Sequence, residues 1–443
     1  HTKTPVEPGE RIERELVPYE KNPAKWVMMP AFAKPRRQVQ LQRIDALRAW
    51  VGTCPYNEVV RRSDAVGVIC AGAVYQHVAE ALPDASIMKL GVTWPLPAAR
   101  LRAFADEVDA LYVVEEASDY LAQAVRACGV EVSAFPAPLP REGELSPGLV
   151  RAAFGLPEPP HAAPRADVPA RPPALCPGCP HRLVFKELTR VRAIVTGDIG
   201  CYTLGNAKPL DAVDTCLCMG AGITMAQGFS VVEPHKKSVA FVGDSTFFAS
   251  AMTGIANAVY NGHDVTFAIL DNATTAMTGS QPHPGTGVTL MGERRRPIVI
   301  EEVLHGLGVQ HIGFANPHSL ETSVAAAKVA IDFDGPSAII FRAPCIQLKK
   351  PAEPVRINAE DCTGCKRCIT SIGCPGIGFD EARRGPASRE RGQAFIDTSL
   401  CDGCGLCTQL CPFNAIEGAV GFGGAVDVEP ARGSEPAQPV PDG

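Results

Sequence analysis

The sequence predicts an α/β protein: two parallel-sheet, three-layer domains, followed by a small α+β domain dense in cysteine. Two observations carry this. Short apolar runs alternate with amphipathic stretches through residues 65–134 and again through 176–350, the pattern of parallel βα units. Near the far end, two runs, CTGCKRCITSIGCP (362–375) and CDGCGLCTQLCP (401–412), gather cysteines at two- and three-residue spacing, each ending in Cys-Pro.

Residues 1–64 are rich in proline and charge, with one helical stretch, VQLQRIDALRAWV, and read as a connecting arm. AVGVICAG, ASIMKL and DALYVVEE then read as strands. YQHVAEAL, AARLRAFADEV and YLAQAVRAC read as the helices between and after them, giving a small α/β domain over 65–134. Prolines crowd 135–175, where each fixes φ and removes a donor, so this stretch reads as an extended linker. Residues 176–350 form the second α/β domain, 356–420 the cysteine module, and the Gly/Pro/Glu-rich stretch 421–443 a disordered tail.

Composition excludes several classes. The 443 residues are 46% hydrophobic and 20% charged, an ordinary globular balance with room for two or three cores. A net charge of −6 carries no broad basic signature of nucleic-acid binding. No apolar run is long enough to span a bilayer and no signal peptide opens the chain, so no membrane partner is expected. The chain does not start with Met, which suggests a fragment or a processed product. Clustered at two- and three-residue spacing in a long chain, the 17 cysteines point to metal in a reducing compartment and hence to the cytoplasm.

Three closely spaced thiolates plus a distant Cys-Pro, in duplicate, is the spacing of a bacterial-type ferredoxin. In that arrangement the fourth cysteine of each run serves the other cluster. One [4Fe–4S] cluster is therefore assigned to Cys362, Cys365, Cys368 and Cys411, and another to Cys401, Cys404, Cys407 and Cys374. The first run departs from the pattern, with five residues between Cys368 and Cys374. Zinc knuckles are the alternative, but they rarely use this duplicated arrangement.

Residues 238–275, SVAFVGDSTFFASAMTGIANAVYNGHDVTFAILDNATT, read as strand, crossover helix and strand. Asp244 follows the first strand and Asn272 the second, which in parallel βαβ geometry sets them side by side at the carboxyl edge of one sheet. A carboxylate, an amide oxygen and a nearby backbone carbonyl, that of Thr274, are hard ligands suited to Mg²⁺. Gly243 and Ser245 let the backbone approach phosphate at the helix start. The local reading is a Mg²⁺–diphosphate site.

This spacing resembles the thiamine diphosphate signature, with Ser245 in place of its last glycine. CMGAGITMAQG (218–228) resembles the helix before that signature, where Met219 and Gly220 would line the cofactor pocket. Together with two ferredoxin clusters, this resembles the 2-oxoacid:ferredoxin oxidoreductases. CPGCPHR, GDIGCYTLG, DTCLCMGAGI and LDNATTAMTGSQPHPGTG look like the indolepyruvate:ferredoxin oxidoreductase branch, alpha subunit. The resemblance implies a transketolase C-terminal-like fold for 65–134 and a thiamine-diphosphate-binding fold for 176–350. It also implies oxidative decarboxylation of an arylpyruvate such as indolepyruvate to an aryl-acetyl-CoA, with coenzyme A taking the acyl group. Single electrons would pass through the clusters to an external ferredoxin. A beta subunit is an implied partner. The family's pyrimidine-binding domain, with its activating glutamate, has no match in the sequence and is expected upstream or on another chain. Other 2-oxoacids, pyruvate or branched-chain, remain open as substrates, as does an electron-transfer subunit inactive without its partner.

Cys176, Cys179, Cys201 and Cys345 stand outside the ferredoxin module. AIVTG and SAIIFR read as further strands of the same sheet, which would bring Cys201 and Cys345 to the edge carrying Asp244. Related pyruvate oxidoreductases look similar here, and a third cluster is a candidate; a structural zinc or packed thiols are the alternatives. His283, in the loop after the metal site, is a candidate catalytic residue able to approach substrate. Arg182 suits either a substrate carboxylate or a surface salt bridge. Arg294–Arg296 read as a solvated loop or a partner contact.

Overall fold

The computed structural model describes residues 8–157, 168, 172–188 and 193–418. The tail at 421–443 and part of the proline-rich linker lie outside the described residues. The chain divides into two compact units, 1–168 and 169–443.

The first unit holds a four-stranded sheet built from β1 (Glu58–Val60), β2 (Ser63–Ala71), β3 (Ala85–Leu90) and β4 (Ala110–Val113), in the order β1-β3-β2-β4. The last three are parallel, while β1 pairs with β3 antiparallel. Alternate residues feed two apolar layers. Val68, Cys70 and Ile87 face one side; Ile69, Met88 and Leu111 face the other.

Two boundaries read from sequence need correction. The arm does not run to residue 64, because β1 already belongs to the sheet and Val51, Cys54 and Asn57 are buried. Nor is the linker extended from 135. Ser146 caps a helix, Pro147–Ala153, by accepting from Leu149 N at 3.3 Å, with proline at the first turn. That helix buries Val150 against the sheet, and Phe135, Phe154 and Tyr112 form an aromatic cluster with centroids 4.7–5.5 Å apart. Apolar residues interleaved with the prolines decided the outcome, not the prolines themselves.

The second unit is built on a six-stranded, wholly parallel sheet: β5 (Ile194–Gly197), β6 (Thr215–Cys216), β7 (Ser238–Gly243), β8 (Val265–Asp271), β9 (His311–Ala315) and β10 (Ser337–Arg342), in the order β6-β5-β7-β8-β10-β9. Strands buried on both faces need no polar alternation. Val239, Phe241, Leu270, Ile339 and Phe341 pack towards the helices His181–Leu188 and Leu320–Asp332. Val242, Phe267, Ile269 and Ile340 pack towards Ala221–Val232 and Met252–Asn261. The crossover helix after β7 opens as Asp244–Thr246, passes through a π turn at Phe247–Ala251, and continues as Met252–Asn261.

The cysteine module follows with two antiparallel pairs: β11 (Arg356–Ile357) with β14 (Ile416–Glu417), and β12 (Ile377–Asp380) with β13 (Gln393–Ile396). It packs on the parallel-sheet domain. Leu183 joins its core, and Gln409 donates to the His318 carbonyl at 2.7 Å while accepting from Leu320 N at 2.9 Å.

Candidate functional site

Because all six strands are parallel, their carboxyl ends lie at one edge. Register sets Gly243 beside Leu270 and Asp271 beside Arg342, so the loops opening with Asp244, Asn272 and Ala343 emerge as neighbours. A cleft of about 110 Å³ opens there. Asp244, Ser245, Asn272, Thr274, Met219 and Gly243 line it, with Cys201 and Tyr202 from the loop after β5.

Asp244 is 2% exposed. Its Oδ1 accepts from Ser245 N at 2.7 Å, and its Oδ2 from Asn272 N at 3.1 Å. His283 Nε2 lies 3.0 Å from the same Oδ2. Gly285 N donates to His283 Nδ1 at 3.2 Å, which places the ring proton on Nε2 and makes neutral His283 the donor. Among the described residues no Lys or Arg side chain pairs with Asp244. Burial first, and then the Asp244 charge, push Asp271 up against the pull of Arg342. Asp271 is held by Arg342 and lies outside the cleft lining; the Asp244 carboxylate and the Asn272 amide oxygen are the hard-oxygen donors of the kind a divalent cation takes.

Two glycines allow close packing at this edge. A Cβ on Gly243 would meet the Tyr202 ring at 2.7 Å; one on Gly220, at φ +90°, would meet Ser250 Oγ at 2.6 Å. The backbone therefore comes close where the crossover helix opens, as a diphosphate requires. Gly220 does not line the cleft; its N–H donates to both oxygens of Asp198 at 2.7 Å.

Asp198 escaped the sequence reading. It follows β5 and is fully buried, and burial raises it to about 6. Tyr202, whose hydroxyl lies 3.2 Å from Thr246 Oγ1 and donates to the Ile199 carbonyl at 3.1 Å, escaped it too. The available signal was a third polar loop, DIGCY, following a strand just as GDS does.

His283 is buried and meets the cleft through its hydrogen bond to Asp244. Arg182 is neither a substrate ligand nor a surface ion pair. It is 2% exposed, and its donors all meet backbone carbonyls. A helix facing the core hides this, because sequence does not mark which arginine faces inward. Arg295 and Arg296 are exposed and pair with Glu293 and Glu302.

The thiols fall into three groups. Cys362, Cys365, Cys368 and Cys411 line one small cavity, and burial plus the other three raise Cys368 to about 11. Cys374, Cys401, Cys404 and Cys407 line a second, where burial and the crowding thiols raise Cys404 to about 11. Cys176, Cys179, Cys201 and Cys345 form the third. Burial and then Cys176 and Cys201 push Cys179 up to about 12, and Cys201 in turn feels Cys345 and Cys176. Cys345 N donates to the Asn272 carbonyl at 2.9 Å, which ties this group to the cleft. Cys216 and Cys218 are exposed and stand apart.

No three or more His, Cys, Asp or Glu side chains among the described residues converge as a single-ion site. A cubane spreads its four thiolates over four irons, so it needs buried crowding without convergence on one point.

Residues 198–341 match the thiamine pyrophosphate enzyme C-terminal TPP-binding domain family, and 394–417 the 4Fe-4S binding domain family. Indolepyruvate oxidoreductase subunit IorA of Pyrococcus horikoshii is 35% identical over 91% of this chain and 68% of its own length. The same subunit of Archaeoglobus fulgidus is 33% identical over 95% of this chain and 70% of its own. A solved 2-oxoglutarate:ferredoxin oxidoreductase from Magnetococcus marinus is a partial likeness, with 19% identity and a TM-score of 0.35 over 41% of this chain and 66% of that one. A thiamine diphosphate domain and a [4Fe–4S] domain in one polypeptide, with identity sustained over 91% of it, mean that the chain belongs to the indolepyruvate oxidoreductase subunit IorA family of 2-oxoacid:ferredoxin oxidoreductases.

Proposed function

We propose that the chain is the thiamine-diphosphate and electron-relay subunit of an enzyme that oxidatively decarboxylates arylpyruvates, indolepyruvate foremost, to aryl-acetyl-CoA and carbon dioxide. The observation that carries this is the third thiol group, hydrogen-bonded through Cys345 to Asn272 at the edge of the cleft. Asp244, Asn272 and the Thr274 carbonyl would hold Mg²⁺, while Gly243, Ser245 and the opening turn of the helix would take the diphosphate. His283 keeps the Asp244 carboxylate aimed by donating to one oxygen, leaving the other lone pairs for the metal. Thiamine diphosphate supplies the carbanion chemistry that decarboxylation of a 2-oxoacid needs.

Three cysteine groups would hold three [4Fe–4S] clusters in line from the cleft. The Gly178 N–H favours the charge on Cys374, linking the cleft-side group to the Cys374 group, and Cys407 feels the charge of Cys368, linking that group to the Cys362 group. Such a line delivers single electrons to an external ferredoxin. Ile199, Leu217, Met219 and Met277 leave large apolar side chains exposed at and beside the cleft. They suit cover by a pyrimidine-binding domain supplied upstream or on another chain, with a beta subunit completing the substrate pocket.

The test supplies this chain, reconstituted anaerobically, with its beta subunit and the pyrimidine-binding domain, and follows coenzyme-A-dependent ferredoxin reduction. Indolepyruvate should give the highest kcat/KM. Faster turnover of pyruvate or a branched-chain 2-oxoacid would move the substrate assignment, and failure with every 2-oxoacid would leave electron transfer as the subunit's role.

A further inference from the structure

Arg182 occupies an unusual position for a cation. It lies in the helix His181–Leu188 and is 2% exposed. No carboxylate pairs with it among the described residues. Nε donates to the Cys176 carbonyl at 3.0 Å, and Nη2 to that of Leu175. Nη1 reaches across to the cysteine module and donates to the carbonyls of Ile372 at 2.6 Å and Gly373 at 2.9 Å. Those carbonyls end the helix Arg367–Ile372, which the longer spacing between Cys368 and Cys374 creates. A helix C-terminus offers unsatisfied carbonyls and partial negative charge.

Carbonyl oxygens bind a guanidinium but do not neutralise it. Burial works against the Arg182 charge, and the groups that favour it are Cys374, Cys179, Cys176 and Cys404. These belong to two of the three thiol groups. Arg182 also lines the cavity of Cys374, Cys401, Cys404 and Cys407. Arginine stays charged inside proteins, and a buried charge needs a counter-charge.

We propose that Arg182 is the shared counter-cation of two iron–sulfur centres, one on the Cys374 group and one on the Cys176 group, and that its charge makes both easier to reduce. This rests on the cluster assignment made above. A cubane with four thiolates is two units negative when oxidised and three when reduced. Reduction adds one electron and neither makes nor breaks a bond at Arg182. The fixed positive charge stabilises the more negative state, so it raises the reduction potential of both centres. The cluster of Cys362, Cys365, Cys368 and Cys411 lies outside this pairing and serves as the internal reference.

The experiment compares the full chain with Arg182→Gln and Arg182→Lys. Each is loaded anaerobically with iron and sulfide, checked by circular dichroism, and titrated redox-potentiometrically with spectroscopic detection. Arg182→Gln should lower the reduction equilibrium of both centres by tenfold or more, about 59 mV for one electron, and leave the Cys362 cluster unshifted. Arg182→Lys should keep it near the parent value. If Gln prevents loading while Lys restores it, the charge is what the anionic clusters require, and the proposal stands. Full loading of Arg182→Gln with unchanged potentials would overturn it. Loss of loading in both variants would also overturn it, because the carbonyl network alone would then be the role of Arg182. Iron content of the unsubstituted chain separates the readings: a chain without the cleft-side cluster defeats that assignment and leaves the claim for the Cys374 group to be decided by the same titration.

Discussion

Asp244 concentrates the chemistry of the cleft in one carboxylate. Asp244→Ala should abolish Mg²⁺-dependent binding of thiamine diphosphate, read by calorimetry, while leaving the iron content unchanged; parent-like affinity would remove the metal from this position. His283→Ala should weaken the same binding about 10- to 100-fold, the usual cost of losing a partner that orients a metal ligand. The pair Asp244 and Asn272 was legible because a fixed strand–helix–strand frame puts the residues after consecutive parallel strands side by side. Asp198 and Tyr202 were not, because their roles depend on contacts with Gly220 and Thr246, which are distant in sequence. Arg182 was noticed and misplaced for a related reason. A residue type announces its chemistry, but only packing decides whether it faces a substrate, solvent or another ligand.

At the level of elements, apolar periodicity located the sheet strands well, since strands buried on both faces leave a continuous apolar run. It failed where composition argued the other way. The helix Pro147–Ala153 sits in a proline-rich stretch, yet proline at the first turn is compatible with a helix and Ser146 supplies the cap. Ser146→Ala should cost the first unit about 1 kcal/mol, seen as a lower melting transition with no change in bound iron. A short strand such as β1, three residues long, offers too little pattern to separate it from an arm. The longer spacing before Cys374 reads in sequence as an irregularity. In the fold it is a helix turn whose carbonyls meet Arg182.

Across the whole molecule, the second unit couples a sheet edge to a cysteine module through residues that also set its stability. Burial lowers His318, on that contact, to about 4 from an ordinary value of 6.5. The unfolded chain therefore binds more protons between those values, and stability present above pH 6.5 is lost as pH falls towards 4. The loss should be on the order of 2–3 kcal/mol, measured by denaturant unfolding of the metal-free chain. Burial lowers His181 to about 4 as well, so His318→Gln should reduce, without abolishing, the slope of that part of the pH profile, and an unchanged profile would place His318 in solvent.

The central claim is that the sheet edge holding thiamine diphosphate also holds its own cluster, so that electrons enter the relay at the cleft. Iron and labile sulfide counted per chain after anaerobic reconstitution test it most directly. About twelve irons are expected, as three cubanes require, with Cys201→Ala and Cys345→Ala each removing about four. About eight irons in the parent, unaltered by either substitution, would contradict it.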